Sequence, residues 1–381
     1  SIYLHVLAPG FHLTSSIRSD IAWRESRLLR LTEEQEICWD FLALKPRACG
    51  VGTAGTGKTV IACEHALRLA RQGLSVLLLC YNEPLAAHLA RTVGRASGRG
   101  RIWAGAFHQL IKEWAARARI EHQPPSDMDP QTAAAFWDEQ TPLLFLEAAE
   151  RLDERFDAII VDEAQDMTAN WWDALPAAMN RPDDCPFVVF NDPTQNIYDR
   201  QATLPVASPM FPLRLNCRSR KPIGAFCAGI VGAPVRFPIY GGGGQPPQQF
   251  VYDSDETQIR QMDAQIRALV DYGLEPHQLI IIGTHTLQKS VFGRTLCDSV
   301  GGLPVVENNP QSDAAPAGAA RYSTLHRFKG LEADVAIICD VDGNARTSTD
   351  RHIYVAATRA RQRLLIFSLK GVRVGASAAE V

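Results

Sequence analysis

Gly52-Thr-Ala-Gly-Thr-Gly-Lys58-Thr59 is the stretch on which the reading of this chain turns. It fits the pattern G-x-x-x-x-G-K-[ST], and its surroundings fit as well. The run before it, Ala48-Cys-Gly-Val51, reads as a short strand. The run after it, Lys58–Arg71, repeats Ile61, His65 and Leu69, and Ala62 and Ala66, at helical spacing. A glycine-rich turn from strand to helix lets backbone N–H groups close around phosphate oxygens at the helix N-terminus. Gly52, Thr53, Ala54, Gly55, Thr56 and Gly57 are therefore the expected cradle. Lys58 is expected to reach the β- and γ-phosphates of ATP, and the Thr59 hydroxyl to ligate Mg²⁺.

A hundred residues on, Ala158-Ile-Ile-Val161 runs into Asp162-Glu163. Two carboxylates at the end of a buried strand suit a division of labour, with Asp162 holding Mg²⁺ and Glu163 activating the attacking water. Solvated acids closing a strand are the bland alternative, and the loop at Lys58 weighs against it.

Further apolar runs at residues 75–80, 187–190, 279–282, 335–339 and 364–367 read as strands, with helical patterns between them. That alternation predicts an α/β fold with parallel sheets. At 381 residues the chain is long enough for two domains. Residues 241–244 are four glycines and read as a surface loop, as does the small-residue tract at 308–320.

Composition narrows the class. Hydrophobic residues make up 46% and charged residues 21%, a globular balance rather than a disordered one. No apolar run approaches the roughly 20 residues that span a bilayer, so no membrane partner is expected. The first ten residues lack the basic start and cleavage site of a signal peptide. The chain begins with Ser rather than Met, which reads as processing or excision from a longer chain. Nine scattered cysteines without a C-x-x-C pair argue against a zinc site or disulfide framework and for the cytoplasm.

The net charge of −3 would not suggest a nucleic-acid binder, but its distribution does. Residues 84–120 hold seven basic side chains (Arg91, Arg95, Arg99, Arg101, Lys112, Arg117 and Arg119) against Glu113 alone. Residues 121–157 reverse the sign with ten acids, and residues 321–370 are basic again. The seven tryptophans all precede Asp173, and packing in a helical insertion accounts for them better than base stacking.

Asp162-Glu163-Ala164-Gln165-Asp166 resembles the DEAQD box of UvrD/Rep/PcrA-like superfamily 1 helicases, and the rest of that family's motifs follow in order. Leu31-Thr-Glu-Glu-Gln35 resembles the Q motif, Leu78-Leu-Cys-Tyr81-Asn82 motif Ia, and Ala106-Phe-His108 the strand-end motif after it. Residues 191–198, from Asn191 to Tyr198, resemble motif III, and residues 213–219, around Asn216-Cys217-Arg218, resemble motif IV. Residues 324–332, with His326, Lys329 and Glu332, resemble motif V, and residues 354–361, with Arg359, resemble motif VI.

The resemblance implies two RecA-like P-loop lobes, each a parallel sheet flanked by helices, with ATP and Mg²⁺ in the cleft between them. The expected division is an N-terminal extension at 1–30, a first lobe at 31–211 with a short helical insertion near 111–156, and a second lobe at 212–381. Gln35 would read the adenine edge, Glu332 would bind the ribose, and Gln195, Arg218 and Arg359 would meet the γ-phosphate. Tyr81, Asn82, His108, Tyr198, His326 and Lys329 would contact nucleic acid. The implied activity is an ATP-hydrolysing motor moving 3′ to 5′ on single-stranded DNA, with duplex separation depending on a partner. The sequence does not separate DNA from RNA.

Two departures stand out. Cys217 occupies the place of the tyrosine that stacks on adenine in the family. Arg218 and His326 are only about a hundred residues apart, which leaves no room for the large second-lobe insertion of the bigger members. Similar compact modules occur with nuclease-related domains, so a partner nuclease or fused domain is expected. A reading from another class is a nucleotide-gated regulatory ATPase that signals to such a nuclease without translocating, with the acidic stretch at 121–157 as its protein-facing surface.

Overall fold

In the computed structural model, the described residues are 33–375 apart from 95–98, 125–129, 197–208, 234, 238–242, 309–317 and 346. They build two sheets. The first has six parallel strands, β1 (Arg47–Gly52), β2 (Ser75–Cys80), β3 (Arg101–Ala106), β4 (Ala158–Val161), β5 (Phe187–Asn191) and β6 (Met210–Leu213), in the order β3-β2-β4-β5-β1-β6. The second has seven: β7 (Gln248–Tyr252), β8 (Leu279–Gly283), β9 (Ser299–Val300), β10 (Leu303–Glu307), β11 (Ala320–Thr324), β12 (Ala333–Val341) and β13 (Ala360–Leu369). Their order is β7-β13-β12-β8-β11-β10-β9, and only β9 runs against its neighbour. Two RecA-like lobes result.

The central strands are buried on both faces because helices cover both, so they read as near-continuous apolar runs rather than alternating ones. In β2, Val76, Leu78 and Cys80 pack toward Ile61, Ala62 and Leu89, which lie on the helices Lys58–Arg71 and Glu83–Val93. Leu77 and Leu79 point the other way, into Phe107, Trp114 and Phe145. Burying each such leucine stabilises the lobe by about 1.5–3 kcal/mol. Leu78→Asp would put a charge where nothing can solvate it.

The helical insertion forms around aromatic stacking. Helix Phe107–Ala118 lays Trp114 against Phe145 of helix Thr141–Leu152, with ring centroids 5.0 Å apart and planes 9° apart. Trp39, Trp114, Trp171 and Trp172 are buried, which places them in the core.

The expected division between residues 211 and 212 falls inside β6, which pairs with β1 through Gly52 and Leu213. Pro212 sits there on an edge strand, where its missing N–H costs no ladder bond. No helix among the described residues is long and apolar enough to cross a membrane.

Candidate nucleotide site between the lobes

In an open parallel sheet the crevice for a ligand lies beyond the carboxyl ends of the strands. Here the neighbouring strands β4, β5 and β1 end respectively in Asp162, the turn Pro193–Gln195, and the glycine-rich loop. Gly55 and Gly57 have φ of +84° and +85°, a conformation that disfavours any side chain, and Gly57 directly precedes the helix starting at Lys58.

Lys58 is 5% exposed, and its ammonium donates to Gly52 O at 2.8 Å, Thr53 O at 3.0 Å and Asp192 Oδ2 at 3.3 Å. Thr59 Oγ1 donates to Asp162 Oδ2 at 2.6 Å. Burial, and then the neighbouring Glu163, push the Asp162 carboxyl up to about 6. A hydroxyl and a carboxylate oxygen this close are the hard donors that Mg²⁺ takes, and a cation there would relieve the buried acid. The loop and donor set fit a magnesium-bound polyphosphate.

Glu163 has the left-handed φ of +52° and accepts a hydrogen bond from Gln165 Nε2. Burial alone would raise its pKa, but Lys58, Lys329 and Arg359 outweigh burial and hold it below the ordinary value. An ionised carboxylate inside a ring of cations can accept a proton from water.

The second lobe closes over this cluster. Arg359, 1% exposed, donates from Nη2 to Gln195 Oε1 at 2.8 Å, and Gln195 Nε2 donates to Asp192 Oδ2 at 2.5 Å. Burial, and then the charge of Arg218, pull the Arg359 guanidinium down to about 10. From motif IV, Cys217 N donates to Gly55 O at 2.9 Å, and Asn216 Oδ1 crowds the position a Cβ on Gly55 would take, 2.6 Å away. Tyr354 Oη accepts from Ala54 N at 3.3 Å and lies 3.0 Å from Thr194 Oγ1.

Several expected residues sit elsewhere. Lys329, assigned to nucleic acid, is 1% exposed with Nζ 2.5 and 2.8 Å from the two carboxylate oxygens of Asp166. It also donates to Gln195 O at 2.9 Å, so no donor is turned toward a phosphate backbone. Glu332, assigned to the ribose, instead pairs with Arg218 at 2.6 Å and Arg361 at 3.3 Å. Much of the C-terminal basic block serves such internal pairs; Arg361 also bridges Asp334 at 2.7 Å.

Four other expected contacts form one strip across the lobe boundary. Asn82 caps helix Glu83–Val93 through Leu85 N and donates from Nδ2 to His326 O at 2.9 Å. His108 Nε2 meets Glu83 Oε1 at 2.8 Å, and Tyr81 packs on Trp171 with centroids 5.9 Å apart. Helix Glu33–Leu44 carries Gln35, whose side chain lies outside the described residues. Tyr198 and Arg95 also lie outside them.

Asp192, Asn216 and Tyr354 fall within the motif stretches but take no role from the sequence reading. Their signal was there in part, since a polar residue at a strand end or in a buried helix must find a partner.

Two sheets, a glycine-rich loop on one and arginines reaching in from the other define a P-loop NTPase with its nucleotide site between RecA-like lobes. Residues 319–367 match the UvrD-like helicase C-terminal domain, and residues 41–201 match a family described as an AAA domain. The chain thus carries an AAA-type domain followed by a UvrD-like helicase C-terminal domain, and in this it is similar to the UvrD-like helicases. No curated protein matches it. Among solved structures, an arterivirus nonstructural protein 10 (helicase) is 11% identical, with 84% of this chain and 59% of that one covered and a TM-score of 0.40. The same arterivirus helicase in complex with DNA gives 12%, 84%, 60% and 0.40. The C-terminal domain of a possible DNA helicase from Lactobacillus plantarum is 21% identical, covering 40% of this chain and 86% of that one, with a TM-score of 0.30. The chain thus spans about 60% of the length of the arterivirus helicases.

Proposed function

We propose that this chain is a magnesium-dependent ATPase motor that moves along single-stranded DNA. The observation that carries the reading is that Glu163 and Gln195 from one lobe and Arg359 from the other converge beside Lys58. Hydrolysis that needs both lobes is hydrolysis that closing and opening the cleft can control. In this assignment Thr59 and Asp162 hold Mg²⁺, which neutralises phosphate charge, while Lys58 and the loop amides hold the phosphate oxygens. Glu163 takes the proton of the attacking water. Arg359 and Arg218 face the γ-phosphate oxygens, where negative charge spreads in the transition state.

Tyr81, Asn82, His108 and His326 form the strip assigned to nucleic acid, and their contacts bridge the lobes at Asn82–His326. A grip spanning that boundary changes whenever the cleft moves. The 3′-to-5′ polarity and a partner nuclease follow from the family resemblance. The test is ATP hydrolysis by the purified chain with Mg²⁺, measured alone and with single-stranded DNA, RNA and duplex DNA. Stimulation by single-stranded DNA above the others is expected. Hydrolysis indifferent to every nucleic acid would instead favour the regulatory ATPase.

A further inference from the structure

Tyr354 lies on helix Asp350–Ala357 of the second lobe, yet both polar partners of its hydroxyl belong to the first. One is the Ala54 amide in the phosphate loop, and the other is Thr194 in the turn after β5. Thr194 Oγ1 lies 2.5 Å from Asp192 Oδ1. A hydroxyl carries one proton and an ionised carboxylate none, so the threonine proton points at Asp192. The proton on the 3.0 Å contact is then the tyrosine's. The chain has one direction, from the Ala54 amide to the tyrosine, to the threonine, to Asp192.

Asp192 is fully buried, and its other oxygen takes Lys58 and Gln195. Burial, and then the nearby charge of Asp192, raise the Tyr354 phenol, so it stays a donor throughout the working pH range. A buried tyrosine needs one partner to be satisfied. This one joins the two first-lobe segments that a phosphate would disturb, because Lys58 must leave Gly52 O, Thr53 O and Asp192 to hold a phosphate. The same segment of the second lobe touches the next two residues of the turn as well, through Arg359 to Gln195 Oε1 and Arg351 to Asn196 O at 2.7 Å.

We propose that Tyr354 is a positioning residue for ATP turnover, its hydroxyl linking the phosphate loop to Asp192 through Thr194 and so setting where Gln195 and Arg359 meet. The inference rests on the ATPase reading above. It acts through the turn rather than on the nucleotide, so its loss lowers kcat more than it raises KM.

The experiment measures kcat and KM for Mg·ATP in wild type, Tyr354→Phe, Thr194→Val, the double variant and Thr194→Ser. Tyr354→Phe removes one oxygen and keeps the ring, and Thr194→Val keeps the shape without the hydroxyl. Each single change is expected to lower kcat on the order of tenfold with KM within about threefold. The double variant should be no slower than the slower single, because both cut one chain, and Thr194→Ser should restore wild-type kcat. Losses that multiply in the double variant, a raised KM at unchanged kcat, or full activity in both singles would each overturn the linkage. Should Tyr354→Phe fail to fold, Thr194→Val against Thr194→Ser decides the matter alone. A wild-type chain that hydrolyses no ATP overturns the ATPase reading and this inference with it. An active wild type beside unaffected singles overturns only the inference.

Discussion

Lys329 of the second lobe sets its ammonium 2.5 and 2.8 Å from the two oxygens of Asp166 in the first, with both side chains 1% exposed. Removing one partner of such a pair strands a buried charge, which costs about 3–5 kcal/mol. Lys329→Met is therefore expected to lower the denaturation midpoint clearly. The salt dependence of nucleic-acid binding should keep its slope. A slope shallower by about one, with stability intact, would return Lys329 to the phosphate backbone.

Glu163→Gln should hold ATP without turning it over, because the amide cannot take a proton from water. The ring of Lys58, Lys329 and Arg359 around it binds charge whether or not Glu163 is ionised. Equilibrium nucleotide binding alongside single-turnover hydrolysis separates the two effects. Near-normal hydrolysis by Glu163→Gln would remove its role with water.

Arg359→Ala should lower kcat by an amount on the order of the 10³–10⁵ ascribed to arginine fingers, with a smaller change in KM. Its contact with Gln195 Oε1 already places it across the cleft from the P-loop lobe. A raised KM at normal kcat would mean that it binds the ground state and that lobe closure is misread.

The parts of this site that sequence revealed are those in which chemistry is local. Lys58 and Thr59 are legible because the glycine loop, strand and helix adjoin them, and Asp162 because an apolar strand ends at it. Strands β2 and β4 were legible to the residue for a similar reason: burial on both faces leaves an unbroken apolar run. Lys329 was not, because its partner Asp166 is 163 positions away and only the packing of two lobes brings them together. Tyr354 is the same case, with partners 160 and 300 positions away. The expected end of the first lobe cuts β6, because a four-residue edge strand does not stand out in sequence as the buried central strands do.

His65 gives a stability prediction with a definite sign. It is buried on helix Lys58–Arg71 with Nε2 unpartnered; burial, and then Arg68, pull its pKa from 6.5 to about 4. The folded state thus binds its proton less readily than the unfolded chain. The stability this provides is complete above about 6.5 and is lost as pH falls toward 4, by up to about 3 kcal/mol. Carboxylates also titrate in that window, so the comparison is with His65→Leu. The urea midpoint of wild type should fall more steeply than that of the variant between pH 7 and 4.5. Parallel curves would mean that His65 is not buried neutral.

Strand separation is where the compact second lobe should show. Moving along one strand needs only two lobes that alternate their grip as the cleft opens and closes. Opening a duplex requires about 1.4 kcal/mol per base-pair step on average, and something must hold the duplex at the fork. Between Arg218 and His326 every described strand, β7 to β11, pairs into the second-lobe sheet. The helices there, Lys221–Val231, Asp255–Asp271 and Val291–Thr295, bury side chains in the lobe's own core. All of these elements pack into the lobe itself, and among the described residues none forms a separate accessory domain. This chain alone should therefore displace a protein bound at the end of a single strand when ATP is supplied, yet unwind long duplexes poorly. If the chain is the motor of a larger machine, adding a partner protein should restore unwinding. Streptavidin displacement from end-labelled single strands, run beside a long-duplex unwinding assay, reads both activities in one preparation. Robust unwinding by the monomer would show that the two lobes suffice to hold the fork and that no partner is needed.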